Sequence, residues 1–166
     1  MGYVDTTLEI SKNNNDEFML EAVKEAYEGI ENSHGGPFGA VIVKDGKIIG
    51  RGHNCVLKNQ DPTQHGEMVA IRDACKTLGT YDLNGCELYT TAEPCPMCLG
   101  AILWSGIHKF YYGCDRIDTE GIGFRDNVFY DVLNGKADYL KSNQIEKKMC
   151  RKLFDDYKNI KDRELY

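Results

Sequence analysis

Four side chains in this sequence have the types and the spacing to bind a metal ion and to move a proton. His65 and Glu67 stand two positions apart in the segment DPTQHGE, and Cys95 and Cys98 frame the segment CPMC. Cysteine sulfur and histidine nitrogen are common ligands of tetrahedral zinc, and a catalytic zinc keeps three protein ligands and one water. The pattern therefore predicts a catalytic zinc site made by His65, Cys95 and Cys98.

Glu67 is the residue of this group that can act as a general base and acid. It lies two positions from His65 on the first turn of a predicted helix, so it points in a different direction and can reach past the metal. Two thiolates and a neutral imidazole cancel the charge of Zn²⁺, so a bound water should be less acidic than at a site with neutral ligands. A carboxylate that takes the proton of that water and delivers it to a leaving group would then be useful.

Plainer interpretations of the same residues stay open. A C-x-x-C pair can be a cytosolic redox pair, and Glu67 can simply complement a helix N-terminus. A purely structural zinc would require a fourth protein ligand, for which the sequence offers Cys55, Cys86, Cys114 and His108. His34 and His53 have no ligand spacing and are interpreted as loop or strand-end residues.

The predicted elements place these residues at helix beginnings. Apolar periodicity and turn residues predict a helix over 16–32, a hairpin within 38–54 that turns at 44–47, a helix from 63 or 64 to 78, a strand over 86–91, a helix from Pro96 to about Ser105, a strand over 109–113, a loop-like stretch over 114–127 and a charged helix over 144–158. A hairpin followed by alternating helices and single strands predicts a mixed sheet with helices on both faces.

Composition limits the function. The chain of 166 residues has 20 lysines and arginines against 26 acids, a net charge of −6, which is the wrong sign for following a phosphate backbone. We therefore expect no nucleic acid partner and a small substrate. No apolar run reaches the roughly 20 residues of a membrane helix, and the polar N-terminus fits no secretory signal. The seven cysteines are expected to be reduced, and the chain is expected to form one cytoplasmic domain over residues 1–166.

The sequence resembles a known enzyme family. H-x-E followed by P-C-x-x-C is the signature of zinc-dependent deaminases, and the similarity continues through GGPFGAVIVKDG, NQDPTQHGE, YTTAEPCPMCLGAI and GFRDNVFYDVL. Together these segments resemble the cytidine deaminase superfamily, and within it the bacterial guanine deaminases most. The resemblance implies a three-layer α/β/α sandwich around a five-stranded mixed sheet, zinc on His65, Cys95 and Cys98, and proton transfer by Glu67. It also implies a homodimer in which the segment 144–166 can be exchanged between subunits.

Five further residues are expected to contact the substrate. The resemblance points to Asn54, Asp126 and the terminal Tyr166. An Asn offers one donor group and one acceptor to a purine, and an ionised Asp accepts from its N–H groups. Phe38 or Trp104 could cover the face of the ring. Each has an ordinary alternative: a turn residue for Asn54, a local cap for Asp126, core packing for Phe38 and Trp104, and a frayed end for Tyr166.

The predicted activity is zinc-dependent hydrolysis of a free nucleobase, with guanine converted to xanthine and ammonia. Gly66 stands where alanine is usual in guanine and tRNA deaminases, and together with the segment GRGHN it keeps cytosine deaminase as an alternative. Adenosine deamination in tRNA is a further alternative, although it calls for a basic surface. A zinc-stabilised interaction module without catalytic activity is the alternative from a different class.

Overall fold

The computed structural model describes residues 14–166. The N-terminal stretch that was expected to fit no secretory signal lies mostly outside these residues. The helices are α1 (Asn14–Glu31), α2 (Val56–Asn59), α3 (Gly66–Leu78), α4 (Pro96–Trp104), α5 (Arg116–Gly121), α6 (Asp126–Leu133) and α7 (Lys147–Lys158). The strands are β1 (Gly39–Lys44), β2 (Lys47–His53), β3 (Glu87–Ala92) and β4 (Lys109–Cys114). None of the helices within residues 14–166 combines the length and the apolar character needed to cross a membrane.

The strands form one mixed sheet in the order β2-β1-β3-β4, with β1 antiparallel to β2 and β3, and with β3 parallel to β4. The hairpin between β1 and β2 turns at Asp45 and Gly46, whose φ angles are 49° and 74°. Positive φ at both central residues is the requirement of the hairpin turn that matches strand twist, and Asp-Gly suits it. The predicted hairpin and the mixed sheet are confirmed.

The alternation of β1 divides the molecule into three layers, because successive side chains of a strand point to opposite faces. Ala40 and Ile42 face a core that contains Ala70 and Ala74 of α3 and Ile102 of α4. On the opposite face, the buried cluster around α1 consists of Ala22, Val41, Val43 and Tyr89. Helices therefore cover both faces of the sheet, which is the predicted α/β/α arrangement.

Close contact between α3 and β2 fixes where α3 begins. A Cβ on Gly52 would lie 2.5 Å from the backbone nitrogen of Ala70, and a Cβ on Gly50 would lie 2.6 Å from the carbonyl oxygen of Ala70. Only glycine allows a helix backbone to approach a strand this closely. The first turn of α3, with His65 as its N-cap, is thereby held beside the end of β2.

The structure differs from the sequence-based expectation after β4. Four strands are present within the described residues, where the resemblance implied five, since the stretch 136–146 lacks the alternation of apolar residues that favours a strand. The stretch 114–127 is not a loop throughout. It contains α5, whose N-cap Asp115 forms a reciprocal capping box with Asp118, and it leads into α6. The C-terminal helix begins at Lys147, later than the predicted position 144.

Candidate active site

Two helix N-termini bring the predicted metal ligands together. His65 is the N-cap of α3 and Cys95 is the N-cap of α4. The Nδ1 atom of His65 lies 3.5 Å from Sγ of Cys95 and 3.5 Å from Sγ of Cys98. Pro96 at the first turn of α4 has no N–H to satisfy and has its φ already fixed for a helix. The local sequence therefore starts α4 at the place where both sulfurs face the imidazole.

The spacing of these three atoms fits a tetrahedral zinc ion. A nitrogen at about 2.0 Å and a sulfur at about 2.3 Å from one tetrahedral ion are separated by about 3.5 Å, which matches the observed 3.5 Å. Within residues 14–166 this cluster contains His65, Cys95 and Cys98 and no fourth cysteine or histidine. Three protein ligands with an open fourth position are the pattern of a catalytic zinc site rather than of a structural one.

The thiols of Cys95 and Cys98 have pKa values that are shifted in opposite directions. Hydrogen bonds from Cys98 and His65 stabilise a thiolate on Cys95 and lower the pKa of that thiol to about 4. The pKa of Cys98 is raised, because its proton is held by the Cys95 sulfur and because the side chain is buried. The hydrogen bond to Cys95 also raises the pKa of the His65 imidazole. One sulfur is thus prepared as a thiolate, while metal binding must displace the proton of the other.

Glu67 lies beside the metal ligands and is enclosed by the core, with only 6% of the residue exposed. Its Oε1 accepts a hydrogen bond of 3.2 Å from the hydroxyl of Thr90, and its Oε2 lies 3.5 Å from Sγ of Cys98. Burial raises the pKa of this carboxyl group because the charged form loses hydration. A raised pKa brings the carboxyl group closer to the neutral range, which suits a general acid and base.

His65, Glu67 and Cys95 line the floor of a cavity of about 280 Å³. The cavity is concave and mainly apolar, with a few polar side chains, as small-molecule sites usually are. Its walls include Gly35, Gly36, Phe38, Asn54, Val56, Leu57, Pro62, Phe124 and Asp126, and its floor includes His65, Glu67, Ala92, Glu93 and Cys95. The structure therefore brings together the predicted metal ligands, Glu67, Asn54, Phe38 and Asp126.

The orientation of Asn54 is fixed by its own turn. The backbone N–H of Val56 donates a hydrogen bond of 3.1 Å to Oδ1 of Asn54, which is a local side-chain to backbone bond. This bond fixes the direction of the amide, and the Nδ2 group is available as a donor to a ligand. Gly35 packs directly against this amide, and a Cβ on Gly35 would lie 2.0 Å from Oδ1.

The upper wall of the cavity combines aromatic rings with an acid. Phe38 and Phe124 meet edge to face with ring centroids 4.9 Å apart, a favourable aromatic arrangement. Asp126 is the first residue of α6, and burial raises the pKa of its carboxyl group. Phe124 and Glu93 are among the lining residues that the sequence analysis missed. Both lie inside the motifs GFRD and EPCPMC, so their place beside predicted site residues was the available signal.

Trp104 and Tyr166 lie elsewhere in this chain. Trp104 ends α4 and is 71% exposed, while Tyr166 is 80% exposed. Their ring centroids are 6.0 Å apart, and Tyr166 also lies 6.0 Å from the ring of Tyr81. The structure does not bring these two residues to the cavity of the same chain, so their substrate contacts remain predictions.

The site belongs to a recognised family. Residues 12–114 match the family described as the cytidine and deoxycytidylate deaminase zinc-binding region, which is more than half of the chain. The chain is a member of this deaminase family. The matched range includes all three predicted metal ligands, Glu67 and Asn54.

Relatives within the family differ in their substrates. The chain is 49% identical over 125 residues to guanine deaminase of Bacillus subtilis, covering 75% of this chain and 80% of that protein. It is 47% identical over 95 residues to the tRNA-specific adenosine deaminase of Aquifex aeolicus, covering 57% of this chain and 62% of that protein. The crystal structure of the Bacillus subtilis guanine deaminase superposes with a TM-score of 0.86 at 41% identity, over 91% of this chain and 98% of that one. This superposition confirms the cytidine deaminase-like fold.

Proposed function

We propose that this protein catalyses the zinc-dependent hydrolysis of guanine to xanthine and ammonia. The observation that carries the proposal is the open His65, Cys95 and Cys98 cluster with the buried carboxyl group of Glu67 beside it, at the floor of a cavity of about 280 Å³. Guanine is favoured as the substrate because the relative that aligns over 75% of this chain at 49% identity is a guanine deaminase.

The proton transfers fall to Glu67. Zinc held by His65, Cys95 and Cys98 would supply Lewis-acid activation of a water molecule. Glu67 accepts a proton from the attacking water and delivers it to the ring nitrogen next to C2 of guanine, and it then assists proton delivery to the departing amine. The C2–N bond breaks, a C2–O bond forms, and the amine leaves as ammonia. Thr90 donates a hydrogen bond to Glu67 and holds the carboxyl group during these transfers.

Binding of the base follows from the groups that the cavity leaves free. The Nδ2 group of Asn54 donates to a ring acceptor of guanine, because the bond from Val56 to Oδ1 fixes the direction of the amide. Asp126 accepts from the N–H groups on the opposite edge, including the amine that leaves. Phe38 covers the face of the ring together with Phe124. A donor on one side of the cavity and an acceptor on the other orient the purine. The purine does not need to carry a net charge for this.

The decisive experiment is an ammonia-release assay on the zinc-loaded protein. Guanine, cytosine, adenine and their nucleosides are compared at equal concentration, and the products are identified chromatographically. We expect guanine to be the preferred substrate and xanthine to be the product. Preference for cytosine would replace the proposal with a pyrimidine deaminase, and absence of turnover on all bases would favour the interaction module.

Adenosine in tRNA is the second candidate, supported by the similarity to the Aquifex aeolicus enzyme. The net charge of −6 argues against it, since neutralising a phosphate backbone requires a surplus of basic residues. Inosine formation in tRNA is measured alongside the base assay. Formation that weakens steeply with added salt would support the tRNA activity.

The proposal also includes the domain organisation, the cellular compartment and the oligomeric state. We expect a single domain that acts in the cytoplasm as a homodimer, with the segment 144–166 able to pack on the second subunit. Reduced surroundings suit the seven cysteines, all of which are unpaired and lie within the described residues.

A further inference from the structure

Three polar side chains form a continuous hydrogen-bonded line behind one wall of the cavity. Glu25 lies on α1, His53 ends β2, and His34 lies in the connection between α1 and β1. The Nδ1 atom of His34 is 2.8 Å from Nε2 of His53, and Nδ1 of His53 is 3.2 Å from Oε2 of Glu25. The two imidazole rings are stacked, with centroids 5.1 Å apart. None of these three residues has a role in the proposed chemistry.

The distances in this line fit hydrogen bonds better than metal ligation. His34, His53 and Cys55 are close enough together to be considered as a ligand set. However, two nitrogens bound to one tetrahedral zinc ion at about 2.0 to 2.1 Å are separated by about 3.3 Å. The observed separation of 2.8 Å between the ring nitrogens is shorter than this and is typical of a direct hydrogen bond.

The protons on the two rings can be assigned from their partners. The carboxylate of Glu25 accepts, so Nδ1 of His53 is the donor toward it. In the neutral ring the remaining Nε2 is then an acceptor, and Nδ1 of His34 donates to it. Desolvation, with Lys58 and His53 adding electrostatic repulsion, lowers the pKa of His34, which favours the neutral ring that this arrangement uses.

The line is connected directly to the cavity wall. His34 precedes Gly35 and His53 precedes Asn54, and both of these following residues line the cavity. Gly35 lies so close to Asn54 that a Cβ would be 2.0 Å from Oδ1. Asn54 is also anchored through its backbone N–H, which donates to the carbonyl of Phe38. A bond between residues 34 and 53 therefore sets the distance between residues 35 and 54.

We propose that His53 and His34 are positioning residues for the substrate: the hydrogen bond between their rings holds Gly35 against Asn54, and Glu25 orients the His53 ring. The kinetic consequence rests on the proposed deamination of guanine. Loss of the bond between the rings should loosen the wall that binds the base and leave the floor with Glu67 unchanged. The expected effect is a rise in KM of about three- to tenfold, which corresponds to one hydrogen bond, with kcat nearly unchanged.

Two substitutions of His53 separate positioning from general stability. In His53→Gln the amide can occupy the place of Nε2 and keep the bond to His34, whereas in His53→Asn it occupies the place of Nδ1 and keeps only the bond to Glu25. We expect His53→Asn to raise KM for guanine and His53→Gln to restore a value near wild type. The matched control is His108→Asn at an exposed histidine, which should leave both constants unchanged. Equal KM values for the two His53 variants, or a fall in kcat at constant KM, would overturn the proposal.

A spectroscopic measurement tests the bond without using activity. In the zinc-loaded protein labelled with ¹⁵N at its four histidines, a scalar coupling between two ring nitrogens is expected, and it should vanish in His53→Asn. Metal analysis should give one zinc per chain. Absence of the coupling, or a second zinc that is lost in His53→Asn, would overturn the proposal. If the wild-type protein shows the coupling but does not release ammonia from guanine, the proposed function fails while the hydrogen bond stands.

Discussion

At the scale of single residues, the contacts that a side chain makes with its neighbours determine which chemistry it can perform. Glu67 is close to the predicted metal ligands and its oxygens contact Thr90 and Cys98, which agrees with the predicted role of a base rather than of a ligand. The carboxyl group is enclosed and its pKa is raised by that burial. A raised pKa suits the uptake and release of a proton that the proposed role requires.

Replacement of Glu67 by Gln should abolish turnover and leave zinc binding intact. The amide has nearly the same shape but cannot transfer a proton, so we expect kcat for ammonia release to fall by about 10²- to 10⁴-fold. Zinc content by mass spectrometry should remain one per chain. Glu31→Gln, at an exposed position on the last residue of α1, is the control. A Glu67→Gln protein with wild-type kcat would remove Glu67 from the proposed role.

Gly35 is required because of its distance from Asn54. A Cβ on residue 35 would lie 2.0 Å from Oδ1 of Asn54, so Gly35→Ala must displace the amide that we propose to bind the base. We expect a rise in KM for guanine of about tenfold and a loss of stability of about 1–3 kcal/mol from overpacking. Gly100→Ala is the matched control, since no atom lies within 4 Å of its Cβ position. Similar KM values for the two variants would contradict the proposed contact.

Zinc affinity should fall as the pH falls. Binding requires two thiolates and a neutral imidazole, and the raised pKa values of His65 and Cys98 mean that both hold protons more firmly than usual. Protons on Cys98 therefore compete with the metal already at neutral pH, and protonation of His65 adds to this competition as the pH falls. The thiolate of Cys95 adds its own loss only near its pKa of about 4. Competition with a coloured chelator at a series of pH values measures the affinity, and a constant affinity would show that other groups bind the ion.

At the scale of elements, strong periodicity and turn chemistry were sufficient for the elements that carry the metal ligands. The Asp45-Gly46 turn, Gly79 after α3 and Pro96 at the start of α4 each have a local physical reason, and these elements are confirmed. The stretch after β4 was different. The short helix α5 depends on the reciprocal cap between Asp115 and Asp118, and such brief elements lack the repeated pattern that periodicity requires.

The position of α6 depends on a contact that is distant in sequence. The hydroxyl of Tyr130 donates a hydrogen bond of 2.7 Å to the carbonyl of Pro94, next to the predicted metal ligand Cys95. The guanidinium of Arg116 lies 4.3 Å from the centroid of the Tyr130 ring, and it also pairs with Glu93. These contacts place Asp126, one turn earlier on α6, over the cavity. They could not be predicted because nothing in the local sequence relates Tyr130 to Pro94.

Tyr130→Phe should therefore weaken both the fold and the site. The buried Pro94 would lose the donor to its carbonyl, and an unpaired buried acceptor costs about 1–3 kcal/mol. We expect a lower unfolding midpoint in urea and a higher KM for guanine, because α6 is no longer bound to the segment that contains Pro94 and Cys95. Tyr139→Phe, at an exposed tyrosine, is the control and should change neither quantity. A Tyr130→Phe protein with wild-type stability and KM would show that α6 is placed by other contacts.

At the scale of the whole molecule, the residues at the floor of the cavity were more predictable from the sequence than the position of Tyr166, which was expected to contact the substrate. His65, Cys95 and Cys98 are carried by two short motifs, and helix beginnings that face the same sheet edge bring them together. Tyr166 is different because its place depends on how the C-terminal segment packs. In the single chain it lies beside Trp104 and Tyr81, away from the cavity, and sequence patterns do not determine whether a tail packs on its own subunit or on another.

The C-terminal segment should hold two subunits together. The helix α7 buries none of its residues, and its apolar side chains Met149, Leu153 and Phe154 are exposed. An amphipathic helix without a packed apolar face gains stability only when that face is covered, and a second copy of the chain offers the exposed Phe129 and Leu133 of α6. We expect sedimentation equilibrium to give a dimer for the full chain and a monomer for the chain ending at residue 144, with zinc retained and guanine turnover reduced. The double substitution Leu153→Ser and Phe154→Ser in the full chain should also give the monomer. A truncated chain that remains dimeric with undiminished turnover would show that the C-terminal segment neither joins the subunits nor closes the cavity.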